Sequence, residues 1–268
     1  GADGIHSMVR TALGHSAKPS FSEKLVWRAL VPGERITRSD FDESFYGYTG
    51  RDRMVWGYWV RPQKLFNFGG VVPAAEVRQE SWVQTGDLFE MRKSFQGANP
   101  HLQRLIDAVD EAYITGLFDR DPLDFWTVGR VTLLGDSAHP MLPYLAQGAC
   151  QSLEDAVVLT ECLKRHGSTA INQGLKDYEI RRRPRTTKVQ SAARAASIYW
   201  LESNPELIRA RDGRMRGLRQ IDPLATTMWS WLYGYDPLAQ GREDKVKADK
   251  RGIRREFEED TVEQKRAW

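Results

Sequence analysis

Cysteine is scarce in this sequence, and long apolar runs are absent. Cys150 and Cys162 are too few for a disulfide framework. If both lie in one predicted helix, they are about 18 Å apart at a rise of ~1.5 Å per residue, too far to be bridged. No stretch reaches the apolar length of a membrane span. We therefore expect free thiols, no membrane partner and a cytoplasmic location.

Metal-binding patterns are also missing. The histidines have no partners at metal-ligand spacing, so we predict no metal site. A net charge of +3 is typical of an ordinary solvated surface, and we predict no nucleic-acid partner. Nine tryptophans, ten phenylalanines and 41% hydrophobic content provide enough apolar surface to exclude a disordered chain.

Segments rich in aromatic and β-branched residues predict an antiparallel sheet, because turn formers such as Pro32-Gly33 and Arg61-Pro62 separate them. The predicted strands are 24–31, 44–48, 54–60 and 65–72, with a further short buried strand at 130–134. Helical periodicity predicts helices over 88–95, 100–115, 148–164 and 175–199. Pro184 should kink the last helix or begin a new segment. The highly charged tail, 241–268, is predicted to be either a solvated helix or partly disordered.

The run from Val131 to Cys150 carries the clearest chemistry. An apolar strand ends at the acid Asp136, a proline-bearing loop follows, and the small residues Gly148 and Ala149 begin a helix. A carboxylate at the end of a strand is suited to binding sugar hydroxyls, and a helix start offers free N–H groups to an anion. The residues alone therefore indicate a site for a nucleotide or another polyhydroxy ligand. Taken singly, Asp136 is better explained as a helix cap.

The segment Gly135-Asp136-Ser137-Ala138-His139-Pro140 resembles the second flavin motif of the aromatic-ring hydroxylases that include salicylate, 3-hydroxybenzoate and 6-hydroxynicotinate monooxygenases. Residues 1–10 resemble the Asp-Gly motif of the same family. Further matches are Trp27-Arg28, Asn67, 117–120, Leu123, Trp126, 154–156, 182–185 and 231–236. Several ordered motifs make the resemblance specific, which a single glycine motif would not.

The resemblance implies a p-hydroxybenzoate-hydroxylase-like fold of the α+β or α/β class. Part of a Rossmann-like FAD-binding domain would accompany an antiparallel substrate-binding sheet and C-terminal helices. The implied divisions are a returning part of the FAD-binding domain at 1–20, the substrate sheet with helices at 21–122, a flavin-binding segment at 123–166 and a helical region at 167–268.

The resemblance also implies which residues bind FAD. Asp136 should bind a hydroxyl of the ribityl or ribose chain, and Asp3 should lie near the pyrophosphate. Gly148 and Ala149 should present N–H groups to the pyrimidine edge of the flavin. The full predicted cofactor set is Asp3, Gly4, Arg10, Gly135, Asp136, Pro140, Pro143, Gly148 and Ala149, with the two prolines shaping the loop.

The implied reaction is hydroxylation of a phenolic, acid-like aromatic ring. NAD(P)H would reduce the flavin, and O2 would add to it as a hydroperoxide that attacks the ring. Several relatives have a histidine four residues before the tyrosine matched by Tyr58, whereas this sequence has Met54, which cannot act as a base. Tyr58, Tyr144 and Gln147 are therefore the candidates that orient substrate, although Tyr58 is equally consistent with a packed sheet residue.

Other polar residues have less specific expectations. His139 should hydrogen-bond the loop backbone. The cluster Arg181–Arg185 has the composition of a nucleic-acid patch, but it matches a family helix whose arginines hold domains together. Arg28 should face the flavin or substrate carboxylate, or form a structural ion pair.

A complete member of this family begins with a strand and a Gly-x-Gly-x-x-Gly turn that cradles the ADP pyrophosphate. The sequence has no such motif and starts at the Asp-Gly motif. We therefore expect an N-terminally truncated chain, either part of an active hydroxylase or a catalytically silent fragment. A parent enzyme that tailors a natural product is a third hypothesis. The oligomeric state stays open, a homodimer included.

Overall fold

The computed structural model describes residues 1–36, 40–41, 45–62, 64–74, 76–78, 81, 83–221 and 226–238. The contacts divide the chain into two compact units, Gly1–Arg214 and Met215–Trp268. The described part of the second unit contains the end of helix Pro205–Ile221 and helix Thr226–Tyr233. The predicted tail at 241–268 lies outside the described residues. Within the described ranges, every helix is too short or too polar to cross a membrane.

The first unit contains a five-stranded antiparallel sheet, counted over the described residues. The strand order is β2-β3-β4-β1-β5. The strands are β1 Ser20–Pro32, β2 Tyr46–Thr49, β3 Met54–Arg61, β4 Leu65–Pro73 and β5 Tyr113–Asp119. The predicted antiparallel sheet is therefore confirmed, with strand ends moved by a few residues. Ser44, the first residue of one predicted strand, lies outside the described residues.

One face of the sheet forms the main core. Trp27, Phe66 and Phe68 are fully buried there, because alternate residues of each strand point to the same side. Helices α2, Leu88–Ser94, and α3, Pro100–Asp107, contribute to the same core. The ring of Phe95 packs where a side chain on Gly70 would stand, since a Cβ there would lie 2.4 Å from that ring.

The prediction of a helix over 100–115 is wrong in its second half. The helix ends at Asp107, and β5 begins at Tyr113. Ile114 and Thr115 are β-branched, and they pair with Trp27 and Val26 of β1. Burial of Ile114 in the sheet core outweighs the apolar periodicity that favoured a continued helix.

The predicted strand at 130–134 is much shorter than expected. It contains two residues, β7 Val131–Thr132, which pair with β6 Thr127–Val128. The beginning of the chain continues the ladder, because the Gly1 ammonium donates to Thr132 O at 2.8 Å and Leu134 N donates to Gly1 O at 2.9 Å. Short helix α1, Met8–Ala12, follows with Ser7 as its cap.

Two long helices pack behind this segment. Helix α4 is Gly148–His166, and helix α5 is Ile171–Trp200. Helix α5 runs through Pro184 without interruption, so this proline does not begin a new segment. The carbonyl of Ile180, which loses its helical donor to the proline, belongs to an exposed residue that water can reach.

Candidate functional site

Residues 135–147, called here the motif loop, connect the short hairpin to α4. The loop contains two 3-10 turns, Gly135–Ser137 and Pro143–Leu145. Gly135 has φ +64°, and a Cβ there would lie 2.7 Å from the Ser152 hydroxyl, so this position requires glycine. Ala146 has a left-handed backbone conformation at φ 52°, which is strained for a residue with a side chain. The surrounding structure must therefore hold the loop in place.

The structure brings the two motifs of the sequence together. The hydroxyl of Ser137 donates to Gly1 O at 2.7 Å, across 136 positions of the chain. The Arg10 guanidinium donates to the carbonyls of Ser137 and Ala138 at 3.3 and 3.5 Å. Arg10 is almost fully buried, and burial lowers its pKa to about 10. The buried Arg10 guanidinium therefore stabilises the motif loop through its backbone carbonyls.

Asp3 and Gly4 lie at the entrance to α1. The Asp3 carboxylate accepts hydrogen bonds from the Ser7 hydroxyl at 2.6 Å and from the Met8 amide at 2.8 Å. The hydrogen bond from Ser7 is the main reason that the pKa of Asp3 lies below its usual value. Gly4 takes φ +79° in the preceding turn. Both residues lie beside the motif loop because Gly1 is paired to it.

Asp136 stands apart from the other polar groups of the motif loop. It is exposed, and no described residue donates a hydrogen bond to its carboxylate. Neighbouring protein atoms nevertheless displace enough water to raise its pKa. A Cβ on Gly148 would lie 3.9 Å from Asp136 Oδ1, with no other described atom nearby. The carboxylate thus borders an open space at the start of α4.

The start of α4 is uncapped. Its N-cap residue, Gln147, makes no capping side-chain hydrogen bond. The first helical amides, at Gly148 and Ala149, therefore have no acceptor among the described residues. A helix start of this kind favours a negatively charged or hydrogen-bond-accepting group.

The two prolines of the motif loop differ in environment. Pro140 is buried, and its carbonyl accepts a hydrogen bond from Gln190 Nε2 at 2.9 Å. Pro143 is exposed and begins the second 3-10 turn, where its fixed φ is favourable. One proline is held by α5, and the other shapes the outer surface of the loop.

Tyr144 joins the motif loop to the second face of the sheet. It packs with the buried residues Val26 and Val71, and the partly buried Met54 and Trp56 contact the same cluster. The Tyr144 hydroxyl is buried and has no hydrogen-bond partner within the described part of the chain. Burial raises the pKa of Tyr144, so the hydroxyl stays protonated at neutral pH. It can therefore form a hydrogen bond with a ligand, but it cannot act as a phenolate base.

The other two candidate substrate residues lie in different surroundings. Gln147 is buried, and its Oε1 accepts from Gln151 Nε2 at 3.0 Å. Tyr58 lies on the same sheet face as Met54 and Trp56 by strand alternation, but it is 40% exposed and outside the Tyr144 cluster. Its ring stacks on Phe45 with centroids 6.0 Å apart. The structure groups Tyr144 with Gln147 on one loop and leaves Tyr58 farther out on the sheet.

The sequence did not reveal the buried charge network beneath the motif loop. His139 Nε2 lies 2.6 Å from Asp155 Oδ2, so the expectation that its ring bonds the loop backbone was wrong. The Gly135 amide donates to the same carboxylate oxygen at 3.0 Å, and Arg182 Nε donates to Asp155 Oδ1 at 2.7 Å. The one available signal was the spacing of Gln151, Glu154 and Asp155, which places them on one face of α4.

The arginine cluster joins the two long helices. Arg182 and Arg185 both donate to the carboxylate of Glu154, and Arg181 pairs with Glu161 at 2.8 Å. These contacts lie between α4 and α5. The cluster therefore joins two helices, and the expectation that it holds domains together stays a prediction.

Two remaining expectations concern Arg28 and metals. Arg28 NH2 donates to the backbone carbonyl of Ser81 at 3.3 Å, and burial lowers the pKa of the guanidinium. Across the described ranges, no three His, Cys, Asp or Glu residues gather at a distance suitable for one metal ion.

Comparisons with known proteins agree with this geometry. A family model described as "FAD binding domain" matches residues 1–193. The chain is 35% identical over 244 residues to 3-amino-4-hydroxybenzoate 2-monooxygenase of Streptomyces platensis, covering 90% of this chain and 59% of that protein. It is 33% identical over 256 residues to 6-hydroxynicotinate 3-monooxygenase of Pseudomonas fluorescens, covering 92% and 59%.

A solved structure, a salicylate hydroxylase substrate complex, superposes with a TM-score of 0.72 at 30% identity, covering 88% of this chain and 61% of that one. The expected fold class is thereby confirmed. The chain spans about 59% of the length of the two curated relatives. With 193 residues under the family model and the two motifs paired in space, this chain belongs to the FAD-binding domain family.

Proposed function

We propose that this chain forms the flavin-ring and substrate side of an FAD-dependent monooxygenase that uses NAD(P)H and O2 to hydroxylate a small aromatic ring. The carrying observation is the Asp136 carboxylate, which has no hydrogen-bond donor among the described residues and borders the uncapped start of α4. The other acidic group at this loop, Asp155, is fully paired. An unpaired carboxylate beside free amides suits a ligand that offers both hydroxyls and an anionic edge.

FAD fits these residues. Bound FAD supplies hydride acceptance and oxygen activation, and the protein supplies orientation and electrostatics. Asp136 would accept hydrogen bonds from the ribityl hydroxyls, while the amides of Gly148 and Ala149 would donate to the pyrimidine edge of the ring. Asp3 and Gly4, paired beside the loop through Gly1, would lie toward the pyrophosphate.

The substrate would lie between the motif loop and the second face of the sheet. Met54 and Trp56 provide apolar contact there, and the partner-free hydroxyl of Tyr144 provides a hydrogen bond. Gln147 uses its Oε1 internally, which leaves its amide hydrogens as donors. These contacts suit a flat ring that carries an acceptor substituent. The named relatives act on 3-amino-4-hydroxybenzoate and 6-hydroxynicotinate, which are rings of this class.

Proton removal from a phenol needs another route in this chain. Met54 cannot accept a proton. Tyr144 remains protonated because burial raises its pKa. Tyr58 is exposed on the same sheet face as Met54. It would orient the substrate ring or relay the phenol proton of the substrate to solvent.

Flavin binding tests the proposal directly. The chain is titrated with FAD and with FMN, which carries the ring, the ribityl chain and one phosphate but lacks the adenosine half, and the visible spectrum is followed. Asp136→Ala should weaken FMN binding roughly 10- to 150-fold, since a charge-assisted hydrogen bond contributes about 1.5–3 kcal/mol. The matched control is Asp107→Ala, because that exposed carboxylate bonds only Gln103 on α3.

Equal FMN affinity of the Asp136 variant and the wild type would remove Asp136 from the cofactor site. No flavin bound by the wild-type chain would contradict the proposed site in this chain. The reaction itself is tested with the protein at its natural length. NADH and NADPH oxidation are screened against hydroxylated benzoates and nicotinates, and the products are identified by mass spectrometry. Oxidation that no aromatic compound stimulates would contradict a ring hydroxylase.

A further inference from the structure

We propose that Arg182 is a positioning residue that fixes both ends of the motif loop, and through them the distance between the Asp136 carboxylate and the start of α4. The inference rests on the proposed function of that loop as the flavin-ring site. Arg182 itself is fully buried on α5 and cannot touch a ligand at the loop surface. It acts through two chains of hydrogen bonds.

The first chain leads to the beginning of the loop. Arg182 Nε donates to Asp155 Oδ1 at 2.7 Å. Asp155 Oδ2 in turn accepts from the Gly135 amide at 3.0 Å and contacts His139 Nε2 at 2.6 Å. Asp136 lies between these two held positions. Its carboxylate is therefore aimed by a turn that Asp155 fixes on both sides.

The second chain leads to the end of the loop. Arg182 NH2 donates to Gln151 Oε1 at 2.8 Å. Gln151 Nε2 donates to Gln147 Oε1 at 3.0 Å. Gln147 is the residue that precedes α4, so this chain fixes where the free amides of the helix start point.

The network is closed to water, which makes its geometry specific. Asp155, Gln151 and Arg182 are 0% exposed, and His139 and Gln147 are nearly so. Burial raises the pKa of Asp155, but hydrogen bonds and charges of His139 and Arg182 outweigh burial and hold that pKa below its usual value. Because water cannot replace a lost partner, removing one link should shift the loop end attached to it.

The test uses variants that keep the buried ion pair. Gln151→Met has nearly the same size. It removes the second chain together with the bond from Gln151 Nε2 to Glu154 Oε1 at 2.9 Å, and it leaves Arg182 paired with Asp155. Arg182→Lys keeps the charge but loses the planar fork, so one ammonium cannot serve both chains. The control is Thr186→Val, which removes a buried hydroxyl that bonds only Arg183 O of its own helix.

Two measurements separate positioning from general stability. Amide hydrogen exchange of peptides covering 134–151 is followed without flavin, and FMN affinity is measured together with the absorption and circular dichroism of bound FMN. In Gln151→Met we expect exchange about ten-fold faster and FMN binding about ten-fold weaker, the effect of one buried hydrogen bond. The spectrum of bound FMN should also change, which a loss of stability alone does not produce. The Thr186 variant should match the wild type.

Each result bears on one of the two proposals. Loop exchange in Gln151→Met and Arg182→Lys that equals exchange in Thr186→Val overturns the positioning role. Faster exchange with unchanged FMN affinity and spectrum overturns it as well, since the loop would then move without consequence for the ring. If the wild-type chain binds no FMN, the proposed function fails, and loop exchange alone decides whether Arg182 fixes the loop.

Discussion

The two sides of the candidate site are held together by different forces. Beneath the motif loop, Asp155 and Arg182 form a buried ion pair that also bonds the loop backbone. On the side of the sheet, Val26, Val71 and Tyr144 meet through apolar contact, and the buried Tyr144 hydroxyl has no partner among the residues that the structure describes. One side is built from directional polar contacts and the other from non-directional packing.

This difference indicates which side of the site can accept substitutions that alter ligand choice. A buried charge network tolerates little substitution, because each lost partner leaves a group without hydration. Apolar clusters accept exchanges of similar volume at a cost of less than about 1.5 kcal/mol. We therefore expect the loop side to fix the cofactor and the sheet side to set the choice of aromatic ring.

Removing the charge beneath the loop should have the largest effect. Arg182→Met should lower the free energy of unfolding by about 3–5 kcal/mol, since the fully buried Asp155 keeps its charge without its partner. Urea denaturation followed by circular dichroism measures the change.

The control for this prediction is Arg183→Met on the same helix. The Arg183 side chain is 40% exposed and lies 3.8 Å from Glu179, so its removal should cost no more than about 0.5 kcal/mol. Equal losses in both variants would show that the buried network is no stronger than a surface pair.

The two loop-side carboxylates should respond to pH with opposite signs. Neighbouring protein atoms displace water from the exposed Asp136 carboxylate and raise its pKa, so its ionised form opposes folding, and stability is lost as pH rises through the folded pKa. Asp136→Asn should therefore stabilise the chain at pH 7, with an advantage that shrinks toward pH ~4. The pKa of Asp155 is depressed by His139 and Arg182 despite its burial, so Asp155→Asn should destabilise at pH 7, and its deficit should shrink as pH falls.

Unfolding free energies of both variants and the wild type are measured from pH 7 down to pH 4. A stability gain in Asp136→Asn that does not vary with pH would show that the carboxyl of Asp136 titrates normally. The same experiment distinguishes Asp136, whose carboxylate is proposed to bind a ligand, from Asp155, whose carboxylate stabilises the fold.

The sheet and the motif loop were accessible from sequence for a physical reason. Strands β1, β3 and β4 alternate aromatic and β-branched residues between clear turn formers, and the motif loop is contiguous in the chain. The segment after Asp107 was not accessible, because Ile114 and Thr115 fit a helix locally and become a strand only by pairing with β1. The local sequence pattern is compatible with both a helix and a strand here, and pairing with β1 in the folded chain decides for the strand.

The hydrogen-bond network under the motif loop could not be predicted from the sequence for a related reason. Arg182 and Asp155 are 27 positions apart, and only the packing of α5 on α4 brings them together. His139 was recognised as part of the motif, but its partner lies 16 positions away on the next helix. The residues proposed to face the flavin lie in one contiguous segment, whereas the residues that hold that segment come together only through the packing of two helices.

A hydroxyl on each side of the site provides a smaller test. Tyr144→Phe removes a buried hydroxyl that no described residue pairs with, so stability should rise by about 1 kcal/mol. Tyr178→Phe removes a buried hydroxyl that donates to Leu133 O at 3.1 Å, so stability should fall by about 1 kcal/mol. Thermal and urea unfolding measure both changes. A loss of stability in Tyr144→Phe would mean that its hydroxyl is satisfied within the protein and is not kept for a ligand.

Tyr58→Phe should have the smallest effect on the fold. Tyr58 is 40% exposed, and its ring keeps its stacking on Phe45, so the free energy of unfolding should change by less than about 0.5 kcal/mol. In the protein at its natural length, we expect slower ring hydroxylation with flavin binding intact, because the lost hydroxyl lies on the substrate side alone. Turnover is measured as hydroxylated product per NAD(P)H oxidised. Unchanged turnover would assign Tyr58 to packing against Phe45 and leave Tyr144 and Gln147 as the residues that orient the ring.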